Sequence, residues 1–257
     1  MSSLGLILLF LSPIIGGLLV LLVKESYARQ LKFVLTFCGG FLFATAILHL
    51  LPEVFKTNHH YEGLLILVGF FFQMLLEKFS EGIEHGHIHL DAPLGHDHHS
   101  HDHSHYHKHS HTLSLGLLIS LSIHSLIEGV PLNGTFKLDQ PFWQNPLLIG
   151  VVIHKFPSAF ALMTVLKQTG MSRRRLIGML TGFALMTPLG VGIGYLLLQS
   201  QLNAMGEVFH VMLALATGSF LQIATTILYE STSNHQFNWR HVLLAFLGGL
   251  LAFAHLH

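Results

Sequence analysis

Charge is scarce in this chain. Only 10% of its 257 residues are Asp, Glu, Lys or Arg, against 51% that are apolar. With a mean hydropathy of +0.57, the scarcity excludes an ordinary soluble domain and makes the lipid bilayer the expected surroundings. Cysteine is almost missing too. Its single copy, Cys38, stands inside an apolar run, so neither a disulfide framework nor a cysteine-based zinc cluster is available. There is no phosphate-cradling P-loop, which speaks against ATP-driven pumping, and no H-E-x-x-H pair of the kind a membrane metallohydrolase would use. Nothing points to nucleic acid as a partner. The first apolar run has only Met-Ser-Ser before it, with no basic n-region and no small-residue cleavage site; it is expected to be a retained span, not a signal peptide.

What the chain does have is eight long apolar stretches, at 4–23, 31–52, 62–79, 113–132, 146–166, 175–198, 207–229 and 240–256. Each is long enough to cross or nearly cross the hydrocarbon as a helix. A β-barrel would need short alternating strands, and runs such as LGLILLFLSPIIGGLLVLLV do not alternate. Lys and Arg set the expected orientation. With the N-terminus outside, the cytoplasmic connections hold Lys24, Arg29, Lys32, Lys78, Lys108, Lys167, Arg173, Arg174, Arg175 and Arg240; the external side holds Lys56 and Lys137, and Lys155 lies inside the fifth span. The expectation is therefore an all-α integral membrane protein, a single transmembrane domain over 1–257, with eight transmembrane helices and both termini outside.

The connection after the third span is of another kind. Residues 80–112 form a low-complexity segment that should be a disordered cytoplasmic loop, with twelve of the 22 histidines between His85 and His111. His96, His98, His99, His101, His103, His105, His107, His109 and His111 offer interchangeable weak metal sites, because imidazole is a common ligand for zinc, copper and nickel. A floppy cluster cannot itself move an ion across a bilayer. It suggests the ligand and leaves the mechanism open.

The mechanism should lie where polar groups are expensive. An ionisable side chain at the bilayer centre costs about 2.5–3.5 kcal/mol on insertion scales, so an intramembrane cluster is a candidate functional site. The fourth span contains SIHSLIEGVP, which puts His124 and Glu128 four residues apart on one helical face; the fifth contains IHKFPSAF, which does the same for His154 and Ser158. His124 lies about seven residues from the outer end of its span and His154 about eight, so antiparallel neighbours bring them to nearly the same depth. Two imidazoles and a carboxylate make a three-ligand, zinc-type set with an open position for water or Ser158. Pro131, Pro157 and Pro188 can free backbone carbonyls beside such a path.

These motifs resemble those of Zrt/Irt-like (ZIP) divalent-metal transporters. The resemblance rests on H-S-x-x-E-G at 124–129, H-K-x-P-S at 154–158, HLLPE at 49–53, MTPLG at 186–190 and the histidine-rich loop between spans three and four. It implies a 3+2+3 arrangement in which spans 1–3 and 6–8 form an inverted repeat around spans 4 and 5. It also implies import of zinc toward the cytoplasm, with iron, manganese or cadmium sometimes accepted. The chain departs from many relatives at Ser125, Lys155, Ser158 and Thr187, where anionic or amide ligands of a second metal would stand. A single transported ion is therefore expected, held by His124, Glu128 and His154 with Ser158 as a weak or water-mediated fourth partner. The Lys155 ammonium is expected to occupy the place of the second cation; the other reading is that it snorkels to a water-filled cavity or pairs with another carboxylate.

Further polar residues are candidates for the ends of the path. His49 with Glu53, and Glu207 with His210, fall at the predicted outer ends of their spans and could collect ions at an entrance; Glu77, Glu81 and Glu84 lead toward the cytoplasmic histidine loop. No resident cofactor is expected beside the transported ion, and the chain is not expected to be an enzyme. Partners reduce to divalent metal ions, lipid and a homodimer, in a plasma or bacterial inner membrane. Two other functions compete. A membrane-anchored metal sensor or buffer would bind through the histidine loop without flux. A cation-diffusion-type exporter would show fewer spans, Asp-rich sites and a soluble C-terminal domain.

Overall fold

The computed structural model describes residues 3–22, 28–57, 60–79, 106–133, 145–199, 203–230 and 239–254. Each apolar stretch carries a helix. In chain order they are α1 (Ser3–Leu22), α2 (Ala28–Thr45), α3 (Glu62–Phe79), α4 (Tyr106–Gly129), α5 (Pro146–Gln168), α6 (Arg173–Gln199), α7 (Asn203–Glu230) and α8 (Trp239–Ala254). Six segments are long and apolar enough to cross a membrane: α1, Phe33–Val54, Leu115–Leu132, α5, α6 and Gly206–Tyr229. The protein is thus a multi-pass, all-helical membrane protein among the described residues. Of the other two helices, α3 carries Glu62, Glu77 and Lys78 within its 18 residues, and α8 has only 16.

Two helix boundaries differ from the sequence expectation. The fourth helix starts at Tyr106, inside the segment read as disordered loop, so His107, His109 and His111 belong to its first turns. Extending an existing helix adds one hydrogen bond per residue with no new nucleation cost, which lets the span run out past its apolar edge. The rest of the histidine segment, 80–105, lies outside the described residues. α2 does not stop at Thr45 but passes through a π turn, Ala46–Leu50, before a final turn, Leu51–Val54. There the Leu51 N–H bonds to the Ala46 carbonyl, five residues back. Such a turn inserts one extra residue, and it sits just ahead of Pro52, which has no N–H to continue an α ladder.

α5 is started and stopped by local chemistry. The Asn145 side chain accepts a 2.8 Å bond from the Leu148 N–H, with Pro146 following at the first helical position. At the other end the Thr169 hydroxyl caps the Leu166 carbonyl at 2.7 Å, and Gly170 takes φ +71°, a left-handed turn that leads into α6.

The most extensive pairings are α1 with α5, α4 with α6, α2 with α8 and α3 with α7. Exchanging α1 with α6, α2 with α7, α3 with α8 and α4 with α5 reproduces that set. Glycine makes the closest of these approaches. A Cβ on Gly16 would lie 2.2 Å from the Phe156 carbonyl oxygen of α5, and one on Gly190 of α6 would lie 2.1 Å from the Leu126 oxygen of α4. Without a hydrophobic drive between helices in lipid, such backbone-to-backbone packing supplies much of the association.

Two large buried apolar clusters fill the bundle, beside a small third one of Leu35, Ile223 and Ile227. One gathers Leu42, Leu50, Leu132, Leu147, Val151 and Phe220; the other gathers Leu117, Leu121, Leu162, Leu166, Leu180 and Phe183. On α4 the polar residues His124, Ser125 and Glu128 fall between Leu121 and Leu132, and on α5 His154, Lys155 and Ser158 fall between Val151 and Ala159. A thin polar layer is held between two dry ones.

Candidate metal centre

α4 and α5 each contribute part of that polar layer. His124, Glu128 and His154 are 2%, 1% and 4% exposed, and one ligand-type atom from each lies within 4.8 Å of the others. Among the described residues this is the one group of three His, Cys, Asp or Glu that could hold a metal ion. His154 Nε2 is 2.7 Å from Glu128 Oε1, and His124 Nε2 is 3.4 Å from Glu128 Oε2. The two imidazoles meet edge to face, with centroids 5.8 Å apart. Despite these distances, both Nε2 atoms and both Glu128 oxygens have no aligned hydrogen-bond partner among the described residues. Buried polar atoms are nearly always hydrogen-bonded. These four instead meet one another, and the Lys155 ammonium, in ion-pair contacts around a single carboxylate.

Lys155 enters the same group from the side. The 100° step between consecutive residues of a helix lets His154 and Lys155 approach different oxygens of one carboxylate. Lys155 Nζ is 2.5 Å from Glu128 Oε2, donates to Ser125 Oγ at 2.6 Å, and lies 5.5 Å from the Phe183 ring centroid. At 1% exposure its charge is compensated on the spot instead of reaching an exposed surface. Thr187, the remaining second-site position, is buried on α6, and its backbone carbonyl lies 2.3 Å from where a Gly129 Cβ would stand. Ser158 is close to His154 but at another edge of its ring. Its hydroxyl donates to the His154 carbonyl at 2.9 Å and lies 3.4 Å from Nδ1, whereas the ligand-type atoms converge on Nε2.

The outer candidates are divided by the fold. Glu207 and His210 line a cleft with Val54, Tyr61, Glu62 and Leu65. Glu62, 5% exposed at the start of α3, joins this group although sequence reading had used it only as a span boundary. Glu53 instead pairs with Lys56 at 2.6 Å, and His49 stands in the π turn of α2. Glu81 and Glu84 lie outside the described residues. Glu77 is bonded to the Gln222 amide of α7.

Sequence reading also missed a polar column behind His124. The Nδ1 of His124 is 3.1 Å from Ser219 Oγ, which donates to Gln73 Oε1 at 2.9 Å. The signal was present in FFFQMLLE, where Gln73 interrupts an apolar run.

Comparison with known proteins bears on all of this. The family model described as "ZIP Zinc transporter" matches residues 1–256. The chain is 27% identical over 230 residues to the zinc transporter ZIP1 of Danio rerio, covering 77% of this chain and 75% of that one. It is 26% identical over 253 residues to the zinc transporter ZIP9 of Xenopus tropicalis, covering 82% and 78%. A further similarity, 33% over 117 residues, is to the protein zntC of Dictyostelium discoideum, covering 44% of this chain and 28% of that one. With its whole length matched, the chain belongs to the ZIP zinc transporter family, a family of transporters and not of enzymes.

Proposed function

We propose that this protein carries zinc across the membrane into the cytoplasm through a single site between α4 and α5. The observation that carries the reading is the meeting of ligand-type atoms from His124, Glu128 and His154, within 4.8 Å of one another, in a buried interior. Two imidazoles and one carboxylate favour zinc over magnesium or calcium, which prefer all-oxygen shells, and three protein ligands leave an open position through which the ion can exchange. Iron, manganese and cadmium would compete at such a site.

Lys155 limits the site to one ion. With the site empty, its ammonium balances Glu128; with zinc bound, the same fixed charge repels a second cation from the place that Ser125 and Thr187 leave without an anion. Occupied, the site holds the ion's positive charge without full compensation, and this favours release over tight retention. Ser158 acts on His154 from the ring's other edge in preference to ligating the ion.

Eight crossings with both termini outside fit the helices and the distribution of Lys and Arg, with α3 and α8 spanning alongside the six longer segments. The self-mapping of the four main pairings supports an inverted repeat of α1–α3 and α6–α8 around α4 and α5. Two apolar clusters flank the site, as expected of a carrier that opens to one side at a time. The cleft at Glu62, Glu207 and His210 would collect ions outside, and the histidine segment would receive or buffer them inside. A plasma or bacterial inner membrane suits this role, and a homodimer is compatible with it.

The test is uptake of radioactive zinc into sealed proteoliposomes, with other divalent metals as competitors. Saturable uptake that disappears in His124→Ala supports the proposal. Zinc binding without flux would instead favour a sensor or buffer.

A further inference from the structure

Behind the metal-facing edge of His124, two buried side chains from helices other than α4 and α5 form a short chain. Ser219 on α7 is 5% exposed and Gln73 on α3 is 1% exposed. Ser219 Oγ lies 3.1 Å from His124 Nδ1 and donates its proton to Gln73 Oε1 at 2.9 Å. We infer that Ser219 and Gln73 are positioning residues that hold His124 with its proton on Nδ1, so that the Nε2 lone pair faces the ion. The inference rests on the reading of His124 as a zinc ligand.

The argument is one of counting protons. A neutral imidazole has a single N–H, on one nitrogen or the other, and a serine hydroxyl has a single proton to give. Ser219 gives its proton to Gln73, so toward His124 it can only accept, and the proton it accepts is on Nδ1. The opposite nitrogen, Nε2, faces Glu128 Oε2 at 3.4 Å, on the side where the ion would be held. A proton on Nε2 would occupy the space between the ring and the converging oxygens of Glu128. It would have to leave before an ion could bind.

Gln73 shows what this arrangement costs. Its Nε2 has no hydrogen-bond partner among the described residues, in a stretch of sequence where Phe70, Phe71, Phe72 and Met74 stand beside it. A leucine there would avoid a buried, unbonded amide. What a leucine would lack is the carbonyl that takes up the Ser219 proton. Reversing the Gln73 amide would reverse the chain, making Ser219 the donor to Nδ1 and sending the histidine proton to Nε2, so the state of His124 reports the direction directly. Partners of this kind fix ring orientation and tautomer at metal-binding histidines, and their loss typically weakens binding by about 10- to 100-fold.

The experiment uses the full chain in lipid nanodiscs with ¹⁵N-labelled histidine, free of zinc and near neutral pH. His124 signals are identified as those missing from His124→Gln. The expected result is a protonated Nδ1 and an unprotonated Nε2 that shifts when zinc alone is added, a readout local to His124 and separate from zinc on the histidine-rich segment. An Nε2-protonated His124 in the wild type overturns the inference, and this needs no variant of Ser219 to fold. In Ser219→Ala the two tautomers should mix, and the zinc concentration that shifts His124 should rise about tenfold or more. Ser219→Thr, which keeps the hydroxyl, should stay within about threefold of wild type. Wild-type behaviour in Ser219→Ala also overturns the inference. If zinc fails to shift the His124 signals of the wild type at all, the metal site itself falls. If zinc shifts them but Ser219→Ala is silent, only the positioning role falls.

Discussion

Two regions of the molecule bring together the same side-chain types in opposite surroundings. At the candidate metal centre, His124, Glu128 and His154 are almost fully buried, and one donor atom from each lies within 4.8 Å of the others. In the cleft beside α2 and α7, Glu62 is buried, but Glu207 and His210 stand exposed. Exposed groups keep their hydration, and ions near them remain screened by salt. Buried groups have already given up water, so an ion is the partner that restores what they lost. On the proposed reading, the cleft would concentrate ions and the centre would hold one.

The largest effect should come from breaking the centre. His124→Ala or His154→Ala is expected to reduce zinc uptake in proteoliposomes by at least about tenfold, down to the protein-free background. Next comes the ion pair. Glu128→Gln strands the Lys155 ammonium in the interior and should lower stability by about 3–5 kcal/mol, measured as unfolding in detergent. Adding Lys155→Met should recover most of that stability and none of the uptake, which separates folding from transport. Lys155→Asp sharpens the comparison in another way. Zinc bound at the centre, counted after subtracting what His124→Ala retains, should rise from one ion to two; an unchanged count would count against Lys155 as a substitute cation. The smallest effect belongs to the cleft. Glu207→Gln with His210→Ala should lower uptake about two- to threefold at low zinc and low salt, and leave the maximal rate unchanged, because exposed charges act mainly on encounter. A lost maximal rate would place these residues inside the transport step.

How much of this could be read from residues alone depends on which interactions are local. The eight apolar stretches became helices because hydrocarbon leaves an isolated segment no other way to satisfy its backbone. His124 with Glu128, and His154 with Ser158, were visible as i, i+4 pairs, since that spacing fixes a face. Which edge of the His154 ring Ser158 would approach was not visible, because it depends on a hydroxyl choosing its own helix carbonyl. Ser219 and Gln73 were missed for a related reason. They are 95 and 51 residues from His124 in sequence, and only the packing of α3, α4 and α7 makes them neighbours. The π turn at Ala46–Leu50 left a trace in Pro52, but the trace fits an ordinary helix end equally well.

The two apolar clusters on either side of the polar layer have an electrical consequence. In a membrane under voltage, potential drops mainly across material of low permittivity, and the layers around Leu147 and Val151 on one side and Leu162 and Leu166 on the other are such material. A charge carried through the full potential gains about 2.3 kcal/mol per 100 mV. Each dry layer would take its own share of the field, and on the proposed reading an ion held beside Glu128 would sit part of the way down the voltage drop. The membrane potential would then be a force on such an ion and on Lys155 alike, and the depth of the site would set how strongly each responds.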